Sequence, residues 1–378
     1  MRFRPERVFP NPGTLRGVAG GPSLGDDALG VSRSALRTLI AGRSALDSPR
    51  LNLVSRADAG EFLAAYGFDV KDPVQRKELQ AIRRKALSFL HNDLLPPGVE
   101  VAEPVRKMLD VRTLLVWASH TDGSLRQRWA CAVLRVMHTC AHADSFTDVA
   151  FGGQVRAAVE ARLRPHIVVE GDRTTLGRGP DAIPLVRVEF RDAKSFSAVM
   201  IKLLGAAENV ATEIYDRQGL RFVTRGRLDA FLVVHYLRVH HIVMLANVMP
   251  SRCRNTLLDP DWYDAQMARI GPAADSLTRS ELVGWLGQLA ERHRPSHVSS
   301  EHNRFSNEAF RSIQFTCREM LRLPERDGVP GGRFFFPYEV QILDAKSDAA
   351  ARSGDASHEA YRERQREAAR RRVLGALI

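Results

Sequence analysis

Three short stretches in the second half of the chain place charged and hydroxyl-bearing residues where strands and helices should meet. In RDAKSFSAVMIKLL (191–204), Arg191, Lys194, Ser195 and Ser197 close a strand-like run and open a helical one that carries Lys202. Cations and hydroxyls at a helix N-terminus suit phosphate, because exposed backbone N–H groups and the helix dipole add to them. A solvated basic loop has the same appearance. In EIYDRQGLRFVT (213–224), Asp216 precedes a glycine turn that leads into a β-type run containing Arg221. A carboxylate at a strand edge is a frequent magnesium ligand in nucleotide chemistry, and equally a turn or cap residue. In PYEVQIL (337–343), Glu339 and Gln341 alternate with apolar residues and so project from one face of a strand. A carboxylate on an otherwise apolar strand is costly without a cation, whether a metal or a neighbouring arginine.

The elements that must position these residues are legible in the hydrophobic pattern. Residues 1–30 are rich in Gly and Pro and lack periodicity, which reads as a flexible arm. From about Ser32 to Ile167 the pattern is helical. Asp72-Pro73 reads as a cap followed by a first-turn proline, ahead of Leu79, Ile82, Ala86, Leu87 and Leu90 on one face. Ala130, Val133, Leu134, Met137 and Ala141 mark a second amphipathic helix over about 125–142. The polar, glycine-containing segment EGDRTTLGRGPD (170–181) is taken as the boundary. Beyond it, 185–190, 220–224, 313–317 and 334–343 read as strands, and 229–248 is apolar at helical spacing. The expected fold is α+β, a mixed central sheet flanked by helices and preceded by an all-helical domain. That gives an arm over 1–30, a helical domain over 31–168, and an α+β domain over 182–378. The last contains an insertion at 258–302, whose helix starts at a Thr278–Glu281 capping box.

Composition narrows the function class only broadly. The chain has 378 residues with a net charge of +11, which favours polyanionic partners such as nucleotides or RNA. No apolar run reaches the length of a membrane span, and no secretory signal follows the basic N-terminus, so a cytoplasmic protein is expected. The four cysteines are scattered and fit no zinc pattern. His138 and His142, four apart with Asp144 close behind, could present two imidazoles to a metal. With no adjacent His-Asp pair in the chain, satisfied or surface histidines are the expected reading, and His235, His240 and His241 are assigned to a partly buried helix.

The order of the three stretches resembles the RelA/SpoT synthetase domain, a nucleotidyltransferase-like fold. The arginine–lysine–serine loop is followed by Ile-Tyr-Asp-x-x-Gly-x-Arg and then by Glu-Val-Gln-Ile. VMPSRCRN (248–255) and NEAFRSIQ (307–314) occupy the places of further family segments. ARSGDASHEAYR (351–362) resembles another through Gly354, Ala356, His358 and Tyr361. The resemblance runs from about Leu185 to Arg364, interrupted by the insertion. It implies a magnesium-dependent enzyme that moves pyrophosphate from ATP to a ribose hydroxyl of GDP or GTP, making an alarmone. Arg191, Lys194, Ser195, Lys202 and Arg221 would bind ATP. Asp216 and Glu339 would hold magnesium, with Glu339 also the general base. Phe310 would stack on the acceptor base, with Gln341 and His358 beside it.

The chain departs from the family in places. Phe310 stands for a tyrosine, Ala309 and Gln314 for a glycine and a histidine, and Leu343-Asp344 for Arg-Thr, while one extra residue separates Arg191 from Lys194. These changes bear on the acceptor. They leave open a toxin of similar fold that modifies the 3′ end of tRNA, and a catalytically inactive regulator that binds nucleotide or RNA.

Overall fold

Capped helices open the described part of the chain, in a computed structural model that describes residues 51, 53–143, 146–191, 194–206, 218–293, 311–322, 331–352 and 358–377. The arm over 1–30 lies outside these residues. Ser55 and Asp58 form a capping box at the start of α1 (Arg56–Tyr66). Asp72 accepts from Val74 N at 2.8 Å ahead of α2 (Pro73–Phe89), as its aspartate–proline pair implies. There follow α3 (Glu103–Lys107), α4 (Val111–Ser119), α5 (Leu125–Ala143) and α6 (Phe146–Leu163). The buried face of α5 runs through Trp129, Ala130, Val133, Val136, Met137 and Cys140, close to the face expected from its periodicity.

His138 and His142 on α5 share one partner. The Tyr66 hydroxyl lies 2.7 Å from His138 Nδ1 and 3.1 Å from His142 Nε2. A phenol has one proton to donate, so one imidazole accepts it and the other ring donates its N–H to the oxygen. Asp144 lies outside the described residues, and among those described no group of three His, Cys, Asp or Glu could hold a metal. Burial, helped by the neighbouring His142, lowers the His138 pKa from 6.5 to about 4. A histidine with a depressed folded pKa stays neutral while the unfolded chain takes up its proton. The expected result is a stability loss as pH falls from 6.5 towards 4, read from urea midpoints, and a smaller loss in His138→Gln. Equal slopes in the two proteins would show that His138 does not titrate differently on folding.

The sheet begins directly after α6. Its strands are β1 (Ile167–Glu170), β2 (Arg173–Leu176), β3 (Ile183–Arg191), β4 (Gly219–Thr224), β5 (Arg254–Asn255), β6 (Ile313–Arg322) and β7 (Arg333–Asp344). They lie in the order β1-β2-β3-β4-β7-β6-β5, and every pairing is antiparallel except β4 with β7. The four strands read from the sequence are present, within a mixed sheet flanked by helices. The polar segment 170–181 is itself part of the sheet, because β2 and its tight turn at Gly171 form a hairpin with β1. Its strand character comes from pairing on both sides rather than from apolar alternation.

Between the strands run α7 (Phe196–Gly205), α8 (Arg227–Val239), α9 (Pro260–Ile270) and α10 (Arg279–Arg292). After β7 come α11 (Ala345–Arg352) and α12 (His358–Leu374). The capping box at Thr278 and Glu281 starts α10 as expected. The apolar run to Val248 does not remain helical, since α8 stops at Val239. His241 takes a positive φ of 52°, and Ile242 N donates back to Leu237 O at 3.0 Å, which closes the helix end. One sheet face buries Leu220, Phe222, Val340, Ile342, Ile313 and Phe315 against Val155, Val159 and Leu163 of α6 and Ala230, Val233 and Leu237 of α8. Arg50–Ile378 forms one compact unit.

Helix α7 is tied at both ends. Ser195 accepts from Ala198 N at 3.3 Å, and Ser197 Oγ donates to Asp93 at 2.5 Å. At the other end Arg372 of α12 donates to the carbonyls of Leu203, Leu204 and Ala206 at 3.1–3.3 Å. An arginine there satisfies orphan carbonyls and meets the negative end of the dipole.

Gly177 bears on the edge of the sheet. Its φ is +86°, and a Cβ there would lie 2.9 Å from the Tyr236 ring, whose hydroxyl bonds His166 Nδ1 at 2.9 Å. Gly179 has φ +75° but open space around it. Gly177→Ala is expected to cost about 2 kcal/mol or more, a backbone term plus a clash. Gly179→Ala should cost the backbone term alone. Equal urea midpoints for the two variants would refute the clash.

Candidate active site

Strand alternation gives the sheet a second, polar face. Val340 and Ile342 point into the core, so Glu339 and Gln341 between them point away from it. Register then lines up polar residues across neighbouring strands. One row runs Arg191, Gly219, Glu339, Thr316 across β3, β4, β7 and β6. The next runs Glu189, Arg221, Gln341, Gln314, Arg254, through to β5. Arg191, Arg221, Glu339 and Gln341, singled out in the sequence, are thus brought together.

Gly219 lies between Arg191 and Glu339 in the first row. With no side chain between them, Arg191 of β3 reaches across β4 until Nη1 is 3.9 Å from Glu339 Oε2. A Cβ on Gly219 would meet the Arg191 side chain at 3.5 Å. Glu339 keeps 20% of its side-chain surface exposed.

The second row is a fixed floor. Arg221 Nε donates to Gln341 Oε1 at 2.7 Å, and Arg221 Nη1 is 4.0 Å from Glu189. Burial and the charge of Arg191 lower the Arg221 pKa, while the Glu189 and Asp348 carboxylates oppose this. Behind it, Arg187 makes a bidentate pair with Asp348 of α11 at 2.7 and 2.5 Å and also bonds Glu189. That pair raises the Arg187 pKa, and Asp348 is the largest cause. Asp344, where the resemblance expects a different residue, accepts from Ser347 N at 2.8 Å at the start of α11 and is 3.5 Å from Arg227.

The remaining expected site residues are placed as follows. Lys194 and Ser195 lie between β3 and α7, and Ser195 serves as the α7 N-cap. Lys202 is in the last turn of α7, seven residues on, or about 10 Å along the axis. His358 starts α12. Asp216 and Phe310 lie outside the described residues.

Sequence reasoning missed Glu189, Arg187 and Asp348, met Gln314 only as a departure from the family segment, and gave Arg254 no role. Gln314 and Thr316 alternate with Ile313, Phe315 and Cys317, a period-two signal that points them to the polar face. Arg254 Nε is buried without a hydrogen-bond partner among the described residues. It lies in the 248–255 segment matched to the family, but β5 has only two residues, so alternation gave it no face.

No helix among the described residues is long and apolar enough to cross a membrane. No family model matches the chain, and no curated protein matches it. Among solved structures the chain is similar to small alarmone synthetase 2 from Bacillus subtilis, with 14% identity and a TM-score of 0.25, over 49% of this chain and 74% of that one. It is also similar to a GTP pyrophosphokinase family protein from Streptococcus pneumoniae, with 13% identity and a TM-score of 0.28, over 60% and 86%.

Proposed function

We propose that the polar face carries out pyrophosphoryl transfer from ATP to a ribose hydroxyl, with GDP or GTP as the acceptor. The observation that carries this reading is Glu339, an accessible carboxylate beside Arg191, at the point where β3 hands over to α7. In the reaction the ribose oxygen bonds to the β-phosphorus of ATP, the bond from that phosphorus to the α-phosphate side breaks, and AMP leaves. The hydroxyl proton passes to Glu339.

Each residue has a task in this scheme. Arg191 and Lys194 neutralise the migrating phosphates, with backbone N–H groups of the α7 N-terminus. Arg191 must turn from Glu339 to the nucleotide as ATP arrives. Arg221 is held by Gln341 and presents a fixed positive charge under the site. Glu339 and Asp216 suit magnesium, which takes oxygen ligands and is held through one or two carboxylates plus substrate phosphates. When bound, the metal would neutralise charge on the phosphates. Phe310 would stack on the acceptor base, and His358 and Lys202 would support the site from α12 and α7.

Incubation of the purified chain with γ-labelled ATP, magnesium and either GDP, GTP or bulk tRNA tests the reading. Label in a guanine nucleotide supports it. Label in RNA alone moves the acceptor to the tRNA end, and label in none of the three refutes transfer.

A further inference from the structure

The polar face continues beyond the site along β6 and β7. Gly219 is the first residue of β4 and pairs with Glu339, so among the described strands β7 before Glu339 pairs with β6 alone. The cross-strand pairs on this two-stranded ribbon are Thr316–Glu339, Arg318–Pro337, Met320–Phe335 and Arg322–Arg333. Alternation puts all eight on the face that bears Glu339. The opposite face, through Phe334, Phe336 and Tyr338, belongs to the core.

Past Glu339 this strip is cationic, aromatic and uncovered. Phe335 is 46% exposed and Met320 39%, and the Arg318 guanidinium lies over the Phe335 ring at 5.4 Å. Beyond Thr316 and Glu339 the six residues of the strip include three arginines and no carboxylate. Arg322 lies directly opposite Arg333, and like charges in that position destabilise a sheet unless an anion lies between them. Neither has an ion pair among the described residues. From Glu339 to Arg333 is about 20 Å of strand, room for several nucleotides and more than one base requires.

We propose that this ribbon face binds single-stranded RNA, laid along β6 and β7 with one end beside Glu339. The arginines take the backbone phosphates, and the Phe335–Arg318 pair takes an unpaired base. Duplex bases are already stacked and present no free face to such a ring. The inference goes beyond the transfer reading, whose acceptor is a guanine nucleotide, and its evidence is binding, which stands apart from turnover.

The test is fluorescence anisotropy of a 5′-labelled 12-nucleotide single-stranded RNA with the full chain at graded salt. It is run beside the same RNA as a duplex, ATP binding, and transfer to GDP. The strand is expected to bind more tightly than the duplex. Phe335→Ala should weaken it about ten- to a hundredfold while leaving ATP affinity unchanged. Arg322→Ser removes one like charge, so the fold should be kept, and the salt slope should fall by about one. Unchanged RNA affinity in Phe335→Ala overturns the proposal. So does a parallel loss of ATP affinity, which would make the ring a platform for the donor base. RNA binding that follows these expectations without any label transfer refutes only the transfer reading. Transfer to GDP with no preference for single-stranded RNA refutes only the ribbon.

Discussion

Glu339→Gln is expected to lower turnover by about 10²–10⁴-fold, the contribution typical of a positioned general base, and by more if the residue also holds the metal. Glutamine keeps the shape and loses the charge and the basic oxygen. Stability should move little, because glutamine keeps the shape of the side chain and the pair with Arg191, at 3.9 Å, lies where both side chains keep access to water. Such pairs contribute about 0–1 kcal/mol. The loss should therefore appear in kcat, with ATP KM close to that of the parent and an unchanged urea midpoint. Wild-type turnover in the variant would remove Glu339 from the chemistry.

Asp348→Ala should have the opposite profile, a large effect on stability that starts away from the reacting atoms. Asp348 is 8% exposed and holds Arg187 by two hydrogen bonds, and Arg352 lies 3.2 Å away. Removing one partner of a buried pair costs about 3–5 kcal/mol. Arg187 keeps 23% exposure and its contact with Glu189, which reduces the expected loss to about 2–4 kcal/mol. Asp348→Asn retains one acceptor and should lose less. Denaturant midpoints measure both, and a loss under 0.5 kcal/mol in the alanine variant would show that water replaces the pair.

The local parts of this structure were readable because local physics decides them. The caps at Asp72 and Thr278 and the alternation of Glu339 and Gln341 with buried neighbours all appear where the residue pattern puts them. The polar rows were only half readable. Alternation says that Glu339 and Gln341 share a face, but register decides that Arg191, Arg221, Gln314 and Arg254 join them. Arg187 and Asp348 are 161 residues apart and meet only through the tertiary fold. β2 is polar and depends on two neighbours for its strand, and α8 stops at Val239, ahead of the positive-φ His241, inside a run that stays apolar to Val248. The Tyr66 hydroxyl that lies between the two histidines comes from 72 residues away from His138 and left no local sign in the sequence.

The parallel pairing of β4 with β7 also sets an order in time. Arg221 and Gln341 are 120 residues apart, the largest separation between residues paired on adjacent strands in the two rows. Closing a loop costs entropy that rises with the logarithm of its length, and no contact across it rewards the chain until both strands exist. At the usual rates of translation, roughly 6–24 s separate the synthesis of the two strands. Throughout that interval the nascent polypeptide carries Arg191 and Arg221 without the glutamate and glutamine that later neutralise and fix them. A growing chain can therefore attract polyanions through these arginines well before it holds a base to act on one.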